Sequence, residues 1–409
     1  MKKISIFTLL NCCIFLTIGH LSAQRDTSKN KFQDTVKIKM NTDAVYNRPF
    51  MVMGKLPVSL GGYLEANSIL SNTDGVTEGL SFQMRRMTIF MAASIARKIR
   101  FLSELEFEDG AKEISLEYAA LDIELHPMLT LRGGIILNPI GAFNQNHDGP
   151  RWEIIDRPIS ATQMLPATWS NAGFGVWGKR FKNNWGFSYE FYVSNGFDGK
   201  IIDNDKGRTA LAESKENIDR FEENETGPLS TGRIAVRNKN IGEIGFSGMH
   251  GIYNKYREDG LQIDNKRTTT VFAIDWNLTI QKTKTNIVGE VANVSVELPF
   301  NYDQNYGKRQ IGGFVDVVQP ILRKPMLGWA KAVLNAACRF EYVDWNKGKM
   351  RENGMNIFQD YKAIVPAISF RPVPTTVIRV NYRYALTHDF FGNPPSATAV
   401  WQVGFSSYF

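Results

Sequence analysis

The sequence predicts an all-β fold, a transmembrane antiparallel up-and-down barrel of about sixteen strands. Three observations carry that expectation. Polar and apolar residues alternate along many segments, short and long connections take turns between those segments, and an export leader at one end faces an aromatic strand at the other.

The last nine residues, WQVGFSSYF, put Trp401, Val403, Phe405 and Phe409 on one parity and Gln402, Gly404, Ser406 and Tyr408 on the other. Alternate side chains of a strand point to opposite faces, so this strand has one apolar and one polar face up to its final residue. Soluble domains usually leave terminal residues frayed and polar. A strand that closes a membrane barrel keeps its lipid face apolar instead. Taken alone, the segment also fits an edge strand of a soluble sandwich.

At the other end, Lys2 and Lys3 precede an apolar stretch from Ile4 to Ile18, and Leu21, Ser22 and Ala23 precede Gln24. That order marks a secretory signal, expected to span residues 1–23. The run is too short for a spanning helix. Asn11 before Cys12, inside the apolar run, argues against lipid attachment. Cleavage would remove Cys12 and Cys13 and leave Cys338, so no intrachain disulfide is expected.

Beyond the signal there is no apolar run long enough for a membrane helix. A mean hydropathy of −0.24 fits a barrel in which only alternate residues meet lipid. The formal charge of +7 would suit nucleic acid or anionic surfaces. The Lys and Arg residues are scattered, however, and an exported chain seldom meets nucleic acid, so no nucleic-acid partner is expected.

Residues 24–55 are polar and Lys-rich without sustained period, and are expected to form a periplasmic extension; residues 56–409 are expected to form the barrel. In 374–386, Ile378, Val380, Tyr382, Tyr384 and Leu386 alternate with Arg379, Asn381 and Arg383. In 328–345, Leu334, Ala336, Cys338, Phe340 and Tyr342 alternate with Lys331, Asn335, Arg339 and Glu341. Residues 268–281 and 185–194 behave alike. Short turns are expected at 97–100, 126–127, 182–184, 238–241, 281–284, 323–328 and 371–374. Longer links are expected at 71–79, 109–112, 138–171, 197–229, 255–266, 299–308, 345–355 and 387–396. This alternation matches short periplasmic turns and longer external loops, whereas a Greek-key sandwich has no reason for it. Phase shifts near Arg85-Arg86 and near Asn293 are expected to be bulges or misplaced boundaries.

Hydrocarbon offers no partner to free amide groups, so the sheet must close. Arg or Lys facing lipid at mid-bilayer would cost about 2–4 kcal/mol, which assigns the charged parity to the interior. A ring of this size leaves an aqueous channel. The expected function is therefore a pore for passive diffusion of small hydrophilic solutes or ions. Inward basic candidates are Arg86, Arg132, Lys179, Arg233, Arg237, Lys331, Arg339, Arg379 and Arg383. Inward acidic candidates are Glu65, Glu104, Glu106, Glu108, Glu117, Glu190, Asp275 and Glu341. Basic rings favour anions; cross-strand ion pairing is the equal alternative, since acids gather in 57–125 and bases in 328–386.

Link 138–171 carries Ile140, Phe143, Trp152, Ile154, Ile155, Met164, Leu165 and Trp169. So long and apolar a loop needs a surface to pack on. It is expected to fold against the inner wall, with Asp148, Arg151, Glu153, Asp156 and Arg157 at a constriction. A loop covering the rim or meeting another subunit is the alternative. Link 197–229, rich in Asp and Glu, is expected to be solvated.

The segments GGYLEANS (61–68), SFQMRRMTIFMAASI (81–95), LRGGIILNPIGAFN (131–144) and AGFGVWGKRF (172–181), in this order and spacing, resemble the phosphate-selective porin O/P family. The resemblance runs from about residue 57 onward. It implies a trimeric sixteen-stranded porin of the Gram-negative outer membrane, with an inward third loop and Arg and Lys along the channel for phosphate. Its partners would be outer-membrane lipid and small solutes or inorganic anions. Residues 138–171 contain no Lys, so no lysine ladder is matched there.

A barrel with a surface-binding or hydrolase role is the alternative function. After the signal the histidines are His126, His147, His250 and His388, and no G-x-S-x-G element occurs. A triad needs contact geometry that these positions do not indicate, so no catalytic residue is expected. No zinc-type His/Cys spacing occurs either. Weak Ca²⁺ binding by external acidic loops is the residual metal reading; no cofactor is expected.

Overall fold

Period-two alternation suits only a pleated strand, and the chain is built almost entirely from such segments. A computed structural model describes residues 58–409 apart from 216–220, 222–225, 301–306 and 351–352. The expected signal (1–23) and extension (24–55) lie outside the described residues. The strands are β1 (Val58–Thr73), β2 (Val76–Ala96), β3 (Ile99–Glu108), β4 (Glu113–His126), β5 (Leu129–Leu137), β6 (Ser170–Lys182), β7 (Trp185–Asn195), β8 (Pro228–Asn238) and β9 (Gly242–Ile252). A small hairpin follows, β10 (Arg257–Glu258) and β11 (Leu261–Gln262). Then come β12 (Thr268–Ile280), β13 (Thr285–Val296), β14 (Arg309–Arg323), β15 (Val333–Asp344), β16 (Asp360–Arg371), β17 (Thr376–Thr387) and β18 (Ser396–Tyr408).

All except β10 and β11 form one closed antiparallel barrel of sixteen strands, in which β9 pairs with β12 and β1 with β18. The closing seam runs from Tyr63 opposite Tyr408 to Thr73 opposite Thr398. It is fastened at both ends. Gly62 and Phe409 exchange backbone hydrogen bonds of 3.2 and 3.0 Å. At the other end Ser396 Oγ and the Ala397 N–H donate to Asp74 at 2.6 and 2.7 Å. The Ser396 bond, with that from Ala397, holds the Asp74 carboxyl below its ordinary range.

Closure sorts the two parities. On β17 the inward set Val377, Arg379, Asn381, Arg383 and Ala385 is buried, while Ile378, Val380 and Tyr384 are exposed. Phe187, Phe246, Phe272, Phe340, Ile368, Trp401 and Phe405 continue an exposed apolar belt on other strands. The inner parity holds nearly all the buried charge of these strands.

Four expectations need correction. Lys331 is not on the inner wall: it is exposed in the turn before β15, which begins at Val333. That strand's first interior charge is Arg339, because the pattern extrapolated past the strand's end. The long link expected at 71–79 shrinks to Asp74-Gly75. Both residues have positive φ (51° and 89°), as a two-residue turn of matching twist requires. Asn72 Oδ1 accepts from the Gly75 N–H at 3.1 Å, so β1 and β2 run on to the tip. Conversely, the short link expected at 323–328 extends over 324–332.

The phase shift at Arg85-Arg86 is a bulge, where the β1–β2 register jumps between Glu65 and Ala66 and leaves Arg85 without a paired residue. The one near Asn293 is not. Strand β13 pairs with β12 and β14 without a break. Its inward residues Ala292, Val294 and Val296 are apolar because they share a buried cluster with Met164 and Leu165, and an apolar inner face mimics a change of phase.

Phe340, 52% exposed near the middle of β15, is the test of the belt. Phe340→Arg is expected to destabilise barrel refolded into phospholipid vesicles by about 2–4 kcal/mol, read from the urea midpoint. A loss well under about 1 kcal/mol would mean that this face does not meet acyl chains.

Candidate functional site in the barrel interior

A charge inside a closed sheet needs a partner, since removing an ion from water is costly. The wall supplies partners strand by strand. Arg132 on β5 forks onto Asp122 of β4 at 2.8 and 3.1 Å and sits 5.1 Å from the Trp177 ring. Arg233 on β8 takes Asp275 of β12 at 2.9 and 2.5 Å, with Glu243 at 3.2 Å. Arg339 on β15 takes Asp316 of β14 at 2.6 and 2.7 Å. Arg383 donates to Glu341 and to the Tyr361 hydroxyl at 2.6 and 2.8 Å. Arg86 reaches Glu108, Glu106 and Glu65 at 2.7, 3.4 and 3.6 Å. Two-pronged Arg–carboxylate contacts of this kind fix geometry as well as charge. Lys179 and Arg237 share the inward parity but stand half-buried at the short-turn end, Lys179 Nζ 5.5 Å from the Trp177 ring and Arg237 opposite Glu243.

The link between β5 and β6 comprises residues 138–169. Its neck is tied by Asn144, whose Nδ2 donates to the Asn138 and Trp169 carbonyls at 2.8 and 2.9 Å while its Oδ1 accepts from the Trp169 N–H at 2.7 Å. Beyond the neck, the loop's polar groups meet the inward side chains of many strands. The Gly141 N–H donates to Ser247 of β9 at 2.8 Å, and the Phe143 N–H donates to Glu290 of β13 at 3.1 Å. Gly141 has φ +63°, and a Cβ there would stand 2.0 Å from Glu290 Oε2, so only glycine fits. Arg379 of β17 donates to the carbonyls of Gly149, Trp152 and Ile154 at 3.1, 3.2 and 3.2 Å and to Glu65 of β1 at 2.9 Å. Apolar side chains do the rest: Ile140, Met164, Leu165 and Trp169 cluster with Val271, Val294 and Val343, and Phe143 and Trp152 with Val288 and Phe314.

The five loop residues singled out from the sequence all find charged or hydroxyl partners. Tyr408 donates to Asp148 at 2.6 Å, and Arg151 Nε donates to the Tyr408 oxygen at 3.2 Å. Glu153 pairs with Arg371 at 2.7 Å, Asp156 with Arg85 at 2.7 Å and Arg383 at 3.5 Å, and Arg157 with Glu106 at 3.9 Å. The second long link differs from its expectation. Asp203 and Asp205 are exposed, but Phe197, Ile201 and Leu211 are buried with the residues of loop 138–169, and Gln310 of β14 donates to the Thr209 carbonyl at 2.8 Å. Charge content outweighed these few apolar anchors in the sequence reading.

Where loop meets wall, a cavity of about 380 Å³ is lined by Arg85, Arg86, Asp156, Arg157, Ile159, Thr162, Tyr361 and Arg383. Four guanidinium groups thus face one carboxylate. Arg85 Nη1, Arg157 Nη2 and Arg383 Nη2 have no hydrogen-bond partner among the described residues. Several residues of this interior escaped the sequence reading. Arg85 turns inward through the bulge; the phase shift at Arg85-Arg86 signalled the irregularity but not which residue it would add to the interior. Asp122, Glu243, Glu290 and Asp316 were legible as single charges on an inward parity; Asp316 stands between Val315 and Val317.

Such a barrel, polar within and greasy without, has the fold found among solved outer-membrane channels. The solved structures agree on the fold. The outer membrane channel DcaP of Acinetobacter baumannii is 11% identical, covering 87% of this chain and 99% of its own, with a TM-score of 0.56. An anion-selective porin from Comamonas acidovorans is 10% identical, covering 86% and 99%, with a TM-score of 0.54. No family model matches the chain. An uncharacterized protein of Aquifex aeolicus (strain VF5) is 32% identical over 149 residues, 35% of this chain, and the match spans about a third (33%) of that relative.

Removing Arg379 would take from Glu65 its nearest cation and from three loop carbonyls a donor at once. Arg379→Ala is expected to lower stability by about 3–5 kcal/mol in urea unfolding, the range for breaking a buried pair. Arg379→Lys, a point charge without the fork, is expected to fall between it and the wild type.

Proposed function

We propose that the chain is an outer-membrane porin of the phosphate-selective O/P type, a channel for passive diffusion of small hydrophilic solutes with a preference for small anions. Export by a cleaved signal at 1–23, a periplasmic extension at 24–55 and a barrel domain at 56–409 belong to this reading. Loop 138–169 forms the constriction. The Arg-rich cavity lies against it, and the unmatched guanidinium donors of Arg85, Arg157 and Arg383 are the observation that carries the anion preference. Arg233, Arg371 and Arg379 also have a donor without a hydrogen-bond partner, but here three such arginines converge on one cavity. Assembly as a homotrimer is part of the same reading. The outer part of β2 exposes Val76, Leu80 and Phe82 (70, 62 and 79%), an apolar face suited to a second copy.

A barrel without an open pore is the second reading, favoured by the burial of the whole stretch from Asn138 to Pro150. Planar-bilayer recording separates the two. Stepwise openings are expected, with a reversal potential in a KCl gradient displaced toward chloride. Arg157→Glu is expected to move it toward potassium. A silent barrel would sink the channel, and an unmoved reversal potential would sink the anion preference.

A further inference from the structure

His147 lies in loop 138–169 against β3, and its two ring nitrogens have different surroundings. Nδ1 is 2.8 Å from the Asn144 carbonyl oxygen. A carbonyl only accepts, so Nδ1 carries the proton and the neutral ring presents a lone pair at Nε2. Nε2 stands 3.4 Å from Glu104 Oε1 and 3.8 Å from Asp148 Oδ1. The three atoms lie within 4.8 Å of one another, and all three residues are at most 1% exposed.

A lone pair facing two carboxylates in a buried place is an arrangement that suits a cation between them, and Arg151, 3.5 Å from Asp148, approaches from the Oδ2 side only. A proton on Nε2 is one candidate, but 3.4 Å exceeds the roughly 2.7–2.9 Å of a charge-assisted hydrogen bond. A metal ion is the other. Tetrahedral bonds of about 2.0–2.2 Å to nitrogen and oxygen hold neighbouring ligand atoms roughly 3.3–3.6 Å apart, close to the spacing present. The Nδ1–carbonyl contact is also the arrangement that orients a metal-bound imidazole. Asp148 accepts from Tyr408 through Oδ2, while the cluster uses Oδ1. Carboxylates have lone pairs enough for several partners.

A second observation points the same way. Glu117, 5% exposed at the bulge where the β3–β4 register jumps, has an Oε2 with no hydrogen-bond partner among the described residues. Its carboxylate lies within electrostatic range of Lys215 first, and then of Glu106, His147 and Glu104.

We propose that Glu104, His147 and Asp148 bind a divalent transition metal of the zinc type, which fastens loop 138–169 to β3. The mixed nitrogen and oxygen donors select against Ca²⁺ and Mg²⁺, which prefer all-oxygen sites. The site goes beyond the channel reading and does not rest on it, because a closed barrel would bind the ion equally well.

Calorimetric titration of metal-stripped, full-length protein in detergent with ZnCl₂ is the test. One saturable zinc per chain is expected, with no comparable signal from CaCl₂ or MgCl₂. Glu104→Gln and His147→Gln are each expected to weaken binding by more than about tenfold, since even changes outside the ligand set act on that scale. Each variant is first checked for a folded barrel by its β-sheet circular dichroism and heat-modifiable gel mobility, and Asp148→Asn replaces one that does not fold. Absence of saturable zinc binding in the wild type, or an unchanged affinity in any folded variant of the three, overturns the site.

Discussion

A sheet closed through sixteen strands encloses more space than its own side chains fill. Most of this molecule answers to that constraint. The inner wall cannot form a conventional hydrophobic core, because its residues do not reach one another across the lumen. They are satisfied locally instead, by carboxylates on adjacent or next-nearest strands, as Arg132 is by Asp122 and Arg233 by Asp275. Chain from the connections, chiefly residues 138–169, packs against inward side chains of that wall. The apolar side chains of that loop pair with inward alanines and valines that would otherwise be out of place in a polar interior.

The electrostatic consequence is uneven. Pairing along the wall leaves little net field there, whatever the number of arginines. Only where the loop displaces a wall partner, or where a bulge adds a residue, does one sign prevail. Both happen at the same level: the bulge sets Arg85 beside Arg86, and the loop brings Arg157 to the same cavity, where Asp156 is the one carboxylate of the lining and Glu106 and Glu341 pair with the arginines from outside it. In the channel proposed above, selectivity would follow from a local departure from sheet regularity more than from overall charge.

The barrel was legible in the sequence because its cause is strictly local. Each residue's parity decides lipid or lumen, so Ile378, Val380, Arg379 and Arg383 could be placed with no knowledge of neighbours. Boundaries were less legible: Lys331 kept the parity of Arg339 yet fell outside the strand, and the Asp74-Gly75 turn let two strands run through what looked like a loop. The site was legible only in its types of residue. Which strand side chain meets which loop atom depends on register around the ring, and the residues involved are far apart in sequence, as Arg379 and Gly149 are. His147 illustrates the limit. Beside Asp148 it reads as loop punctuation, and its closeness to Glu104 of β3 appears only once the loop is seated.

The anchorage of loop 138–169 also bears on the order in which the chain assembles. Its contacts reach β1, β3, β9, β13, β15, β16, β17 and β18, and the Arg379 cluster joins the loop to a strand from each side of the final seam. No nascent hairpin offers the whole set, since Arg379 meets Glu65 and Tyr408 meets Asp148 from opposite sides of the seam between the first and last strands. Contacts of such long range are slow to gain. Complete anchorage of the loop therefore presupposes a ring that has closed.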